Sequence, residues 1–200
     1  MTKTLSGFEF LECSLSGEKY PIDKPMRLSP SSEKPLLARY DFEKISKSFT
    51  PKNLLGRRND MWRYEELLPV LDDEKIISLG EGNTPFMKMN NLSKKLSIKN
   101  FFVKDESNNP TGSFKARGLS AAISKANEYG IKGIVMPSAG NAAGAMSAYA
   151  AKANMEANVF MPKDAPLANK MECAAFGANV KLVDGFISDA GKASAIAAEK

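Results

Sequence analysis

Two segments of this chain carry residue types that could do covalent chemistry on a small molecule. The first is Asp105-Glu106-Ser107-Asn108-Asn109-Pro110-Thr111-Gly112-Ser113-Phe114-Lys115, a polar turn that leads to a lysine where a helical pattern begins. The second is Pro137-Ser138-Ala139-Gly140-Asn141-Ala142-Ala143-Gly144, a loop of small residues that opens another helical pattern. An ammonium in the first turn of a helix faces the positive end of the macrodipole. Partial desolvation in that place favours the neutral amine, the form that condenses with an aldehyde to a Schiff base. The small-residue loop offers backbone N–H groups at a helix N-terminus, a cradle for an anion. A lysine of this kind standing alone reads as a solvated first-turn residue; its pairing with the cradle points to chemistry.

Composition removes several competing chemistries. The chain has no histidine in its 200 residues, so Ser/His/Asp and Cys/His nucleophile pairs are excluded, as is any metal site built on imidazole. Cys13 and Cys173 are far apart in sequence, too few for a zinc cluster, and follow no secretory leader, which fits a reducing cytoplasm. Lys plus Arg number 28 against 23 Asp plus Glu, and the basic residues are scattered rather than gathered in a stripe. Nucleic acid is therefore not implied as a partner, while small anions are favoured by a net charge of +5. No run approaches the roughly 18 apolar residues of a membrane span.

The elements that must position the two segments follow from periodicity. From Asn100 onward, short apolar runs alternate with longer segments of helical period, the βαβ pattern. Phe101 to Val103 reads as a strand. Leu119, Ala122, Ile123, Ala126 and Tyr129 then recur at helical spacing before Gly130. Ile134 to Met136, Asn158 to Met161 and Val180 to Val183 read as further strands, with helices over Asn141 to Ala153, Leu167 to Phe176 and from about Ser188. Four strands with intervening helices predict an α/β fold: a parallel sheet, helices on both faces, and the lysine turn and asparagine loop at carboxyl ends of strands. Ala195 to Lys200 carries no stop signal, so the sequence is expected to break off inside a helix.

The first fifty residues differ. Phe8 to Cys13 and Leu36 to Asp41 read as short strands separated by turns, with few apolar residues to bury. Between Asn53 and Pro69, Met61-Trp62-Arg63-Tyr64 carries the chain's single tryptophan, which reads as a core anchor. The predicted organisation is a small β-rich head over residues 1–50, a connecting segment over 51–99 and the βαβ unit over 100–200.

The paired motifs Pro110-Thr111-Gly112-Ser113-Phe114-Lys115 and Ser138-Ala139-Gly140-Asn141 resemble those of the β-family, fold type II, pyridoxal-phosphate enzymes. Leu79-Gly80-Glu81-Gly82-Asn83-Thr84-Pro85 and the Met61 to Pro69 stretch resemble segments of the threonine synthases in that family, and the similarity runs from about Leu11 onward. The resemblance implies pyridoxal 5'-phosphate as cofactor, held covalently by Lys115, with Asn141 donating to the ring's phenolic oxygen and Phe114 packing beside the ring. It implies a substrate carboxylate at Ser138, Ala139, Gly140 and Ala142, and a substrate wall at Gly82 and Thr84, with Thr111 and Ser113 shaping the lysine turn. Arg117, two residues past the lysine, points elsewhere on the helix and cannot form an imine, which makes it the control for Lys115.

The implied activity is conversion of O-phosphohomoserine and water to threonine and phosphate. The alternatives are a serine or threonine dehydratase, a β-replacement synthase using a phosphorylated amino acid, or a non-catalytic α/β module. A homodimer is among the assemblies left open. The resemblance places the phosphate loop and the pyridine-nitrogen partner beyond residue 200, so the isolated chain is expected to be inactive. It also implies that the head is a degenerate zinc ribbon. Cys13 stands in place, but Ser16, Ser29, Ser31 and Ser32 occupy the region of the other ligands, and hydroxyls do not replace soft thiolates. A metal-free head is therefore expected.

Overall fold

The computed structural model describes residues 6–199. Strands β1 (Phe8–Cys13), β2 (Lys19–Tyr20) and β3 (Leu36–Tyr40) form an antiparallel sheet in the order β2-β1-β3. The expected head strands are thus present. Helix α1 (Phe42–Ser48) follows, missed in the sequence but signalled by Asp41, whose carboxylate accepts the Lys44 amide at 2.8 Å as an N-cap. Its Ile45 packs so closely on Gly7 that a Cβ there would lie 2.5 Å from Ile45 Cγ1.

Residues Met61–Leu67 form a 3₁₀ turn, capped by Asp60, that drives Trp62 into the interior at 1% exposure. The anchor reading of Trp62 holds. Strand β4 (Phe86–Lys88), helix α2 (Asn90–Leu96) and strand β5 (Phe102–Lys104) come next, and β4 pairs antiparallel with β5. This corrects the expectation that Phe101 to Val103 begins the parallel sheet. The central parallel strand is an apolar run buried over most of its length, whereas β5 exposes Phe102 and Lys104 and half-buries only Val103. A three-residue strand of that kind suits a two-stranded pairing, with Phe86 stacked on Phe102 at 4.8 Å.

The parallel sheet therefore has three strands, β6 (Gly133–Pro137), β7 (Glu156–Pro162) and β8 (Asn179–Val183), in that order. Helices α3 (Lys115–Glu128), α4 (Asn141–Lys152), α5 (Leu167–Ala175) and α6 (Ile187–Ala198) surround it. Ala157, Val159 and Met161 of β7 share one core with Met146 and Tyr149 of α4 and with Ile123 of α3. Asn158 and Phe160 point to the opposite face, where they meet Ala193, Ile196 and Ala197 of α6. Helices on both faces are thus a consequence of period-two alternation in β7. The unfinished-helix reading at Ala195 to Lys200 falls in part on residue 200, outside the described residues.

Candidate active site

Lys115 is the first residue of α3, as its sequence position predicts. The turn before it closes by Gly112 N–H donating to Asn109 C=O at 2.8 Å, and Lys115 N–H donates to Ser113 Oγ at 3.3 Å. The amine lies 4.5 Å from the centre of the Phe114 ring, a cation–π contact in the charged form, and Phe114 is 58% exposed. Among the described residues no carboxylate pairs with this amine.

Asn141 is exposed at the first position of α4, and Gly140 is its N-cap without a side-chain acceptor. The Asn141 and Ala142 amides are among the leading donors of the helix, which have no acceptor within it. Asn169 of α5 donates to Ala139 C=O at 2.7 Å, and Ser138 N–H donates to Phe160 C=O at 3.0 Å, so the loop is tied to α5 and to β7. The packing of α3 on α4, with Ala116 and Leu119 joining Ala143 and Met146 in one core, holds the lysine and asparagine helices together.

Gly82 and Thr84 approach the lysine turn through side chains that sequence reasoning passed over. Gly82 N–H donates to Asn109 Oδ1 at 3.1 Å, and its φ of +105° with a Cβ position 2.6 Å from Met61 N leaves room only for glycine. Thr84 Oγ1 donates to Glu106 Oε1 at 2.6 Å and lies 3.2 Å from Arg117 Nη2. Arg117 grips Glu106 with two bonds, Nε to Oε2 at 2.6 Å and Nη2 to Oε1 at 2.8 Å, and Asn109 Nδ2 adds a third donor at 2.9 Å. These bonds, the Arg117 pair above all, hold the Glu106 carboxyl at about 2. Arg117 therefore has a structural part of its own. At i+2 from Lys115 it leaves the lysine's side of the helix, but it lands on the ion pair that braces the lysine turn. Glu106 and Asn109 stood in the lysine turn; only their partners were invisible, because those bonds span up to 27 residues.

A second cluster centres on Glu81, fully buried. Its Oε1 accepts from Trp62 Nε1 at 2.9 Å and Ser120 Oγ at 2.5 Å, and its Oε2 from Tyr149 O–H at 2.6 Å and the Leu79 amide at 3.0 Å.

The residues present fit a pyridoxal-phosphate group. Among the described residues the site offers a primary amine free of carboxylate partners, amides at the α4 N-terminus with no side-chain cap, and a buried Thr111 Oγ1 without a hydrogen-bond partner. Residues 77–200 match the family model for the pyridoxal-phosphate dependent enzymes, and the chain belongs to that family. More particular likenesses lie among its relatives. Over 152 residues the chain is 41% identical to a threonine synthase of Methanocaldococcus jannaschii, covering 76% of this chain and 38% of that protein. It is 33% identical over 181 residues to a threonine synthase of Methanosarcina acetivorans, covering 90% of this chain and 44% of the relative. The chain thus spans less than half the length of these curated relatives. Among solved structures, maize serine racemase superposes with a TM-score of 0.54 at 28% identity, over 58% of this chain and 35% of that one. The Escherichia coli diaminopropionate ammonia lyase shares the fold at a TM-score of 0.57 and 19% identity, over 63% and 38%. Among the described residues no helix is long and apolar enough to cross a membrane.

Proposed function

We propose that the native protein is a threonine synthase, converting O-phosphohomoserine and water to threonine and phosphate. The observation that carries this reading is the 33% identity to a threonine synthase over 90% of the chain, which takes in most of the chain beyond the matched family region. Pyridoxal phosphate, when bound, supplies an electron sink for carbanions beside the substrate nitrogen. Everything else falls to side chains of the site. Lys115 Nζ would hold the cofactor covalently and would carry protons between substrate carbons. Asn141 Nδ2 would donate to the phenolic oxygen of the ring, and the exposed Phe114 would pack beside it. The amides from Ser138 to Ala142 take the substrate carboxylate at the positive end of α4. Gly82 and Thr84 form the substrate wall, and because the Thr84 hydroxyl is already engaged by Glu106, its part is to hold that wall in place.

We place the reaction in the reducing cytoplasm, in keeping with the unpaired thiols of Cys13 and Cys173. The test is product analysis of the native protein with O-phosphohomoserine, serine and threonine. Release of phosphate with formation of threonine supports the reading; release of ammonia from serine or threonine, with no phosphate from O-phosphohomoserine, replaces it with a dehydratase.

A further inference from the structure

The carboxylate of Glu81 reaches three elements at once. Trp62 belongs to the 3₁₀ turn, Ser120 lies in α3 beyond Lys115, and Tyr149 lies in α4 beyond Asn141; all three donate to it. The residue's own backbone is fixed as well, since Glu81 C=O accepts the Met61 amide at 2.7 Å. Gly82, next in the chain, donates to Asn109 in the lysine turn. Among the described residues no cation pairs with Glu81, so a wholly buried carboxylate is held by neutral donors alone. Such a group is costly compared with an apolar side chain of the same size, and packing alone gives no reason to keep it. What an apolar residue could not do is fix the azimuth of three elements about one point.

We infer that Glu81 is a positioning residue, which sets the Gly82 to Thr84 wall in register with the helix that presents Lys115 and the helix that presents Asn141. This rests on the reading of Gly82 and Thr84 as the substrate wall and of Lys115 and Asn141 as cofactor residues. The coupling is directional. A tilt of α4 pulls Oε2 through Tyr149, a tilt of α3 pulls Oε1 through Ser120, and either is delivered to Gly82, one peptide bond away. Burial and the Glu81 bond push the Tyr149 hydroxyl far above its ordinary range, so it remains a donor at any working pH.

The test uses Tyr149→Phe and Ser120→Ala in the native holoenzyme, each removing one donor to Glu81 and little volume, Ser120→Ala also losing the hydroxyl's contacts with Ile77 C=O and Trp62 Nε1. Glu81 keeps its bonds from Trp62, Ser120, Ser78 and the Leu79 amide in Tyr149→Phe, so the fold is expected to be retained. Three quantities are measured: amide hydrogen exchange, KM and kcat for O-phosphohomoserine, and the visible absorption of the bound cofactor. The account predicts faster exchange confined to Leu79 and Gly82, a KM raised about tenfold, and kcat and the visible band little changed, since Lys115 itself is untouched. Unchanged exchange at Leu79 and Gly82, or a lowered Tm with KM unmoved, overturns the assignment and leaves Glu81 a core residue. If the wild type releases no phosphate from O-phosphohomoserine while the local exchange still quickens, the substrate reading fails and the positioning role stands.

Discussion

Lys115 stands at the junction of a loop and a helix, where its amine has aromatic company but, among the described residues, no carboxylate. Lys115→Ala removes the amine without opening a cavity, and alanine is a good residue for a first helical turn. We expect Tm within a few degrees of wild type and loss of turnover, with calorimetry as the check that the fold survives. Asn141 is a different case, because it is exposed and its side chain is free to serve a ligand. Asn141→Ala should lose one charge-assisted hydrogen bond, roughly 1.5 to 3 kcal/mol, and slow kcat by about tenfold to a hundredfold while cofactor content stays near stoichiometric. Both residues were legible in the sequence because the chemistry demands a particular residue type beside a helix N-terminus. Glu81 was legible only as part of a motif. Its role depends on Trp62, Ser120 and Tyr149, which lie 19, 39 and 68 residues away and carry no shared spacing.

Among the elements, the turn from Asp105 to Phe114 depends most on a single pair, Arg117 with Glu106. Both side chains are partly open to solvent, so Arg117→Ala is expected to cost about 1 to 3 kcal/mol, less than a fully buried pair would. Chemical denaturation measures it. The same pair sets a pH window. Glu106 is held at about 2 in the folded state against 4.5 when free, so its contribution is fully present above about pH 4.5 and is lost as pH falls toward about 2. Glu106→Gln should flatten the stability profile in that window and leave it unaltered near neutrality in slope. An unchanged acid limb would show that other carboxyls control acid unfolding. The helices and parallel strands from 115 onward were readable because apolar periodicity and Gly130, which ends α3 at a φ of +73°, are local signals. The β4–β5 pairing was not, since two three-residue strands with only Val103 half-buried offer no alternation to read, and their register is set by contacts 14 to 18 residues apart in sequence.

For the molecule as a whole, the head and the α/β body are joined by polar contacts at several points. Tyr129 of α3 donates to Ile22 C=O at 3.0 Å, and Gly7 N–H to Glu66 C=O at 2.9 Å. Within the head, Cys13 Sγ accepts from Leu15 and Ser16 amides and lies 3.1 Å from Ser32 Oγ, while Ser29 and Ser31 meet Tyr20 O–H. These bonds gather the residues of the resembled ligand region, with hydroxyls in place of thiolates. We expect elemental analysis of the native protein to find less than one zinc per chain, and chelators to leave Tm unmoved. A structural zinc contributes on the order of 10 kcal/mol to its module, so its removal could not pass unseen.

The central claim is that this chain presents Lys115 to pyridoxal phosphate, and the most direct measurement is to reduce the native holoprotein with borohydride, digest it and map the modified lysine by mass spectrometry. The account predicts a phosphopyridoxyl group on the peptide containing Lys115 and on no other. A stoichiometric adduct on a different lysine, or none on a protein that retains its cofactor, would contradict it.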